Sequence, residues 1–235
     1  MPDAATLNGP SLLGIGLYTA GEVERLTEIP AAKVRRWICG YAFRSKGERQ
    51  WSAPLWEPQV PRIREQVELG FRDLVEIRIV DALLKAGLSL HAVRRATAVA
   101  REVIADSHPL STNRFRTDGT TIFLQVAQES EEPVLLDLLK RQYGLSAILE
   151  KSLKDLDFGI DGGAVRWWPM GKDHVVVLDP GRSFGQPIVN DGGVPTRALA
   201  DAVKVEGSVE RVARLYEIPK RAVREAVAFE GRMAA

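Results

Sequence analysis

The hexapeptide Arg25-Leu-Thr-Glu-Ile-Pro30 returns near the end of the chain as Arg214-Leu-Tyr-Glu-Ile-Pro219. The offset of 189 positions also places Val23 on Val212 and Val34-Arg35 on Val223-Arg224. Self-similarity at a fixed offset is the mark of a repeated supersecondary unit. Each copy predicts a short helix, a break, an Ile-Pro step and a second helix with the same apolar spacing. Two helices joined by so short a break form a helix-turn-helix, so the chain reads as carrying one such unit at each end. The alternative is that two unrelated helical hairpins share one packing solution, since Leu, Ile and Val at these positions are core-forming in any such hairpin.

The first copy carries its boundaries in the local sequence. Thr19-Ala-Gly-Glu22 predicts a capping box, in which the Thr19 hydroxyl accepts an orphan amide hydrogen and Glu22 reaches back. Val23 and Leu26 give the first helix its apolar side. Pro30 opens a helix to about Cys39, because no amide is needed at its first position, and Gly40 ends it as a C-cap glycine. Residues 41–61 lose the helical period and hold Gly47, Pro54, Pro58, Pro61, Trp51 and Trp56, a pattern for a β-wing and an ordered loop. Helices are expected at 70–86 and from Ser89 to about Asp106. Arg114–Val126, with Asp118-Gly119 in the middle, reads as a β-hairpin. Helices follow from Pro133 to about Gly144 and from Ser146 to about Leu156, then strands near 164–168 and 174–178. Asp179–Pro195 reads as a Pro/Gly-rich loop, and the C-terminus as helices at about 196–205, 209–216 and 219–230. The expected class is mainly α with short β-hairpins (α+β). The segments are a flexible arm at 1–17, a winged helix-turn-helix domain at 18–107, a central hairpin, helix and strand segment at 108–178, and a C-terminal helix-turn-helix domain at 179–235.

Composition closes off several chemistries. About 45% hydrophobic content with a net charge of +1 supports a packed core and argues against disorder. Cys39 is the one cysteine, which excludes an intrachain disulfide, a cysteine metal cluster and a thiol redox pair. No apolar run approaches the roughly 20 residues of a membrane span, and no signal pattern opens the chain, so a cytoplasmic protein is expected. His91, His108 and His174 are the only histidines. His91 lies beside Arg94 and Arg95 on a solvated helix face, and His108 reads as a helix end. His174 adjoins Asp173, but neighbours in a strand face opposite sides. No nucleophile elbow or phosphate loop occurs. The chain is therefore expected not to be an enzyme, with no catalytic residues, metal or cofactor. Trp167-Trp168 reads first as core or edge cover, with a partner anchor as the alternative.

Net charge conceals a local excess. Between Ile29 and Arg64, Lys33, Arg35, Arg36, Arg44, Lys46, Arg49, Arg62 and Arg64 face only Glu48 and Glu57, an excess of six positive charges. On the 30–39 helix, Val34, Trp37 and Ile38 take the inward side and leave Ala32, Lys33, Arg35 and Arg36 outside. Arginine can read guanine with two hydrogen bonds, and a small Ala lets a helix approach the groove floor. Arg44, Lys46 and Arg49 on the wing would reach the backbone or minor groove. With Thr19 at the helix start, these are the expected contacts to double-stranded DNA. The last helix carries Lys220, Arg221 and Arg224, mixed with Glu225 and Glu230, and reads as a partner or dimer surface before a DNA surface. One short unit reads DNA weakly, so a homodimer on two half-sites is expected, dimerising through the 70–106 helices or the C-terminal unit.

Two resemblances sharpen this. Tyr18–Phe43, with Val34-Arg35-Arg36-Trp37-Ile38 before Gly40, resembles the winged helix-turn-helix of the MerR and excisionase families. Phe71-Arg-Asp-Leu-Val-Glu-Ile77 and Ala86-Gly-Leu-Ser-Leu90 look like the second helical pair of MerR domains. The long linker after the wing departs from that family, as does the lack of a long dimerising helix and effector domain. Leu178-Asp-Pro180, Gly185-Gln-Pro-Ile-Val189, Val194-Pro-Thr196 and the 208–229 helix pair look like the small C-terminal domain of VapB-type antitoxins, with Asn190-Asp-Gly-Gly193 departing from the usual turn. A MerR-like head with this tail is similar to one branch of those antitoxins. The resemblance implies pairing with a PIN-domain ribonuclease toxin and repression of the shared operon. The alternative is a stand-alone dimeric transcription regulator or nucleoid-associated protein with no toxin partner.

Overall fold

The structure, a computed structural model, describes residues 13–61, 67–129 and 144–234. Arg62, Arg64, the expected helix from Pro133 and most of the N-terminal arm lie outside the described residues. The fold is mainly helical, with short antiparallel hairpins and one small four-stranded sheet.

The first helical pair forms where its caps predict. Thr19 caps α1 (Ala20–Thr27), with Glu22 N donating to the Thr19 hydroxyl at 3.2 Å and Thr19 N donating to the Glu22 carboxylate at 2.8 Å. Glu28 in the left-handed region makes the turn, and α2 (Ala31–Cys39) follows Pro30 and stops at Gly40. The C-terminal copy repeats this in register. Ser208 caps α8 (Val209–Leu215), Glu217 takes the left-handed turn, and α9 (Lys220–Met233) follows Pro219. Val23, Val34, Val212 and Val223 are all fully buried. The copies part where Gly40 is matched by Phe229: the glycine ends α2, whereas Phe229 is buried and α9 runs on.

Between the pairs, α2 leads into a hairpin of β2 (Tyr41–Ser45) and β3 (Glu48–Ser52). Lys46 and Gly47 both have positive φ at its tip, the twist a two-residue hairpin turn needs. β1 (Tyr18–Thr19) pairs antiparallel with β4 (Glu68–Leu69). The helix α3 (Phe71–Lys85) is buried almost all round and forms the centre of the main core, against α4 (Leu90–Ile104) and α6 (Gly144–Leu153), with α5 (Asn113–Glu129) packed on those two. The strands β5 (Leu156–Phe158), β6 (Ala164–Trp167), β7 (Val176–Leu178) and β8 (Pro187–Val189) form an antiparallel sheet in chain order. The main apolar cluster runs from Tyr18 to Leu178. A second, built on Val189, Leu199, Val212, Ile218 and Val223, lies beneath α7 (Thr196–Glu206), α8 and α9.

Three expectations are corrected. Residues 114–126 are not a hairpin but lie within α5. Phe115, Ile122, Phe123 and Val126 are buried at helical spacing, and the Thr112 hydroxyl accepts from Phe115 N at 3.1 Å to start the helix. Gly119 serves packing and not a turn: a Cβ there would lie 2.7 Å from Leu149 Cδ1 on α6. The 179–195 loop contains a strand, β8, which Pro187 can open because β8 is the edge strand of the four-stranded sheet, laddered to β7 and joined on its other side only by a single bridge from Ile188 to Pro195. The arm is fixed earlier than residue 18, since Phe71 N donates to Ile15 O at 2.8 Å and Leu17 N to Phe184 O at 3.1 Å.

A buried polar knot joins α3 to the loop after the wing. Asp73 accepts from Trp56 Nε1 at 2.8 Å, Gln59 N at 3.0 Å and Gly70 N at 2.8 Å, and pairs with His108 Nε2 at 3.0 Å. One turn on, Glu76 is fully buried and accepts from Leu110 N, while its Oε2 has no hydrogen-bond partner among the described residues. Burial pushes the Glu76 carboxyl up to about 7, against the pull of the His108 cation. His108 is also raised: burial opposes its charged form, but the hydrogen bond to Asp73 and the nearby Glu76 outweigh it. Both shifts have the same sign for stability. The folded state holds these protons more tightly than the unfolded chain. The Glu76 contribution falls as pH rises from its unfolded value through about 7, a loss of roughly 3 kcal/mol. The His108 contribution, complete below the unfolded histidine value, is lost as pH rises through its folded one. Glu76→Gln is expected to flatten the decline in melting temperature between about pH 5 and about pH 8. An unchanged decline would show that the cluster is not its source.

Candidate nucleic-acid interface

The exposed side of α2 and the β2–β3 hairpin form one continuous cationic surface. Val34, Trp37 and Ile38 are buried, which turns Ala32, Arg35 and Arg36 outward. Arg36 lies over the Tyr41 ring with Cζ 4.0 Å from its centroid, fixing one guanidinium at the helix–hairpin junction. On the hairpin, Arg44 and Arg49 stand directly opposite each other and are exposed, with Lys46 at the tip. Like charges opposed across a strand pair destabilise it, so this arrangement suits a polyanion. Arg35, Arg44, Lys46 and Arg49 have no carboxylate partner among the described residues. Trp51 on β3 is 64% exposed and Phe43 on β2 39%.

The hairpin is held by groups distant in sequence. Arg94 Nη1 on α4 donates to Ala53 O at 2.8 Å and Pro54 O at 2.9 Å, and Nη2 to the Ser52 hydroxyl at 3.1 Å. Leu55 N donates to Trp37 O at 2.8 Å. At Gly40 (φ 71°) a Cβ would lie 2.5 Å from Ser52 O and 2.9 Å from the Trp51 ring. Gly40→Ala therefore strains the backbone and pushes the hairpin off α2. It is expected to cost about 1–3 kcal/mol and to raise amide exchange in residues 41–52 before the rest of the chain. Uniform exchange across the chain would argue against a local effect.

Two expected contacts take structural duties. Lys33 is half-buried and reaches Asp81 on α3 at 2.8 Å, where Lys85 also bonds the same carboxylate at 2.8 Å. Burial works against the Asp81 charge, but the hydrogen bonds from Lys33 and Lys85 outweigh it and hold the carboxyl below its ordinary value. The Thr19 hydroxyl is engaged with Glu22, although the residue is exposed. Asp81, Arg94 and Gly40 are the supports that the sequence reading did not assign to this surface. Arg94 beside Arg95 was the one visible signal for its part.

The C-terminal copy has a different electrostatic character. Lys220 and Arg224 both lie 3.6 Å from Glu210, and Arg221 bonds Glu225 at 2.6 Å and Asp173 O at 2.6 Å. All three cations are exposed, yet each has a partner carboxylate. His174, the residue beside Asp173, lies 3.3 Å from the same Glu225. Among the described residues no group of His, Cys, Asp and Glu could hold a metal ion, and no helix is long and apolar enough to cross a membrane.

The class these features define is a mainly helical protein with two matched helix pairs, one followed by an exposed cationic hairpin. No family model matches the chain. Over almost its whole length it is similar to a Mycobacterium tuberculosis (strain ATCC 25618 / H37Rv) protein named "Putative antitoxin VapB45", 25% identical over 223 residues, covering 91% of this chain and 93% of the relative. The similarity to that one protein thus reaches both helix pairs and the segment between them. The fold matches the crystal structure of Rv2018 from Mycobacterium tuberculosis with a TM-score of 0.69 at 23% identity, covering 92% of this chain and 98% of that one.

Proposed function

We propose that the chain is the DNA-binding antitoxin of a VapBC-like toxin–antitoxin pair, which represses its own operon and neutralises a PIN-domain ribonuclease. The observation that carries the DNA half is the contrast between the two repeats. Among the described residues, Arg35, Arg44, Lys46 and Arg49 lie without carboxylate partners on the α2–hairpin surface, while Lys220, Arg221 and Arg224 are paired with Glu210 and Glu225. In this reading α2 lies in the major groove, with Arg35 and Arg36 at base edges and Ala32 allowing close approach, and the hairpin lies along the phosphates. The α8–α9 pair serves association with a second copy or with the toxin, and a dimer reads two half-sites. The antitoxin half rests on the similarity, over 91% of the chain, to the protein named "Putative antitoxin VapB45".

The test has two arms. In the first, the chain is co-expressed with the product of the adjacent gene. The expected result is a stable complex with a PIN-type nuclease whose RNA cleavage is suppressed. A neighbour of another kind, with nothing co-purifying, removes the antitoxin role. In the second, the upstream DNA is titrated at two salt concentrations. Binding that keeps its preference over scrambled DNA at the higher salt supports repression, and its absence removes the repressor role.

A further inference from the structure

An open pocket of about 510 Å³ lies behind the cationic surface, between the α1–α2 turn, α3, α6 and β6. Its volume falls within the range of small-molecule sites. Half of its lining residues are apolar: Leu26, Ile29, Ala82, Ala86, Ile148 and Trp167. The remainder includes three cations, Arg78, Lys85 and Lys151, and one carboxylate, Asp81. That carboxylate is already shared by Lys33 and Lys85. Lys151 is exposed and has no ion-pair partner among the described residues.

Arg78 is the feature that points to a ligand. Its Cζ lies 4.0 Å from the centroid of the Trp167 ring, so the guanidinium is fixed on an aromatic face. Its Nη1 is buried and has no hydrogen-bond partner among the described residues. A buried unpaired donor on a charged group is costly, and a pre-set guanidinium is the geometry that takes a planar carboxylate with two hydrogen bonds. Asp155 acts on Arg78 through space, and although burial lowers the guanidinium to about 10, it stays charged at neutral pH.

We propose that this pocket binds a small amphipathic carboxylate, with the carboxylate held by Arg78 and Lys151 and the apolar body against Trp167, Ile29 and Ile148. The apolar walls favour such an anion over inorganic phosphate, whose hydration they cannot replace. The site is independent of any role in DNA or toxin binding.

Benzoate, its neutral isostere benzamide and inorganic phosphate, each titrated into the full chain, test this by melting temperature and tryptophan fluorescence. Benzoate is expected to give a saturable rise in melting temperature. Benzamide should bind at least about tenfold more weakly, the loss expected for one charge-assisted contact, and phosphate more weakly than benzoate. Arg78→Gln is expected to weaken benzoate binding by about tenfold or more. Lys151→Ala, at the exposed rim, should weaken it by about threefold and leaves the stacked guanidinium in place if Arg78→Gln fails to fold. No saturable effect of benzoate, equal binding of benzamide, tighter binding of phosphate, or unchanged benzoate affinity in Lys151→Ala would overturn the proposal.

Discussion

Asp73→Ala is expected to unfold the protein or bring it close to unfolding at ambient temperature. The side chain is fully buried, and its removal strands Trp56 Nε1, Gln59 N, Gly70 N and His108 Nε2 together. Each stranded buried donor costs about 1–3 kcal/mol, and relaxation of the loop recovers part of that. A net loss of about 5 kcal/mol is therefore expected, comparable with the total stability of many domains. Asp73→Asn keeps one acceptor oxygen and should cost about half as much. Urea titration of both variants checks the order. If Asp73→Ala melts within a degree or two of the unsubstituted protein, the knot is not what holds the loop after the hairpin to α3.

The second large effect concerns the hairpin. Replacing Arg44, Lys46 and Arg49 together by alanine removes three exposed cations that no described carboxylate neutralises, and no buried contact. Folding should be unaffected, because surface changes of this kind usually stay within about 0.5 kcal/mol each. Removing the Arg44–Arg49 opposition even favours the hairpin slightly. The slope of log affinity for duplex DNA against log salt is expected to fall by about 3, close to one per phosphate contact. The loss should be nearly equal for specific and scrambled sequences. An unchanged slope in the triple variant would place the hairpin away from DNA.

The parts of the fold that could be read from sequence are those written in adjacent residues. Thr19 with Glu22, Pro30, Gly40, Ser89 and Ser208 each cap or stop a helix through contacts within a few positions, and the repeat supplied a second sighting of the same unit. The helix α5 was obscured because Asp118-Gly119 imitates a hairpin turn. The buried series Phe115, Ile122, Phe123 and Val126 was the better signal, and Gly119 is explained only by Leu149 across the helix interface. Lys33 lies on the outer side of α2 when that helix is considered alone; Asp81, 48 residues later, draws it inward. The pairing of Lys220 and Arg224 is similarly non-local, since Glu210 approaches them only once α8 is in place, whereas Arg221 pairs with Glu225 one turn along its own helix.

The central claim is that the first repeat, and not the second, reads DNA. Arg35 and Arg224 occupy equivalent positions in the two copies and both are exposed, so they provide a matched comparison. Affinity for DNA from upstream of the gene, measured with Arg35→Ala and Arg224→Ala at one fixed salt concentration, tests the claim directly. Arg35→Ala is expected to lose about 1–3 kcal/mol of binding, with relaxed sequence preference. Arg224→Ala should stay within about twofold. Loss of binding in Arg224→Ala with Arg35→Ala unaffected would contradict it.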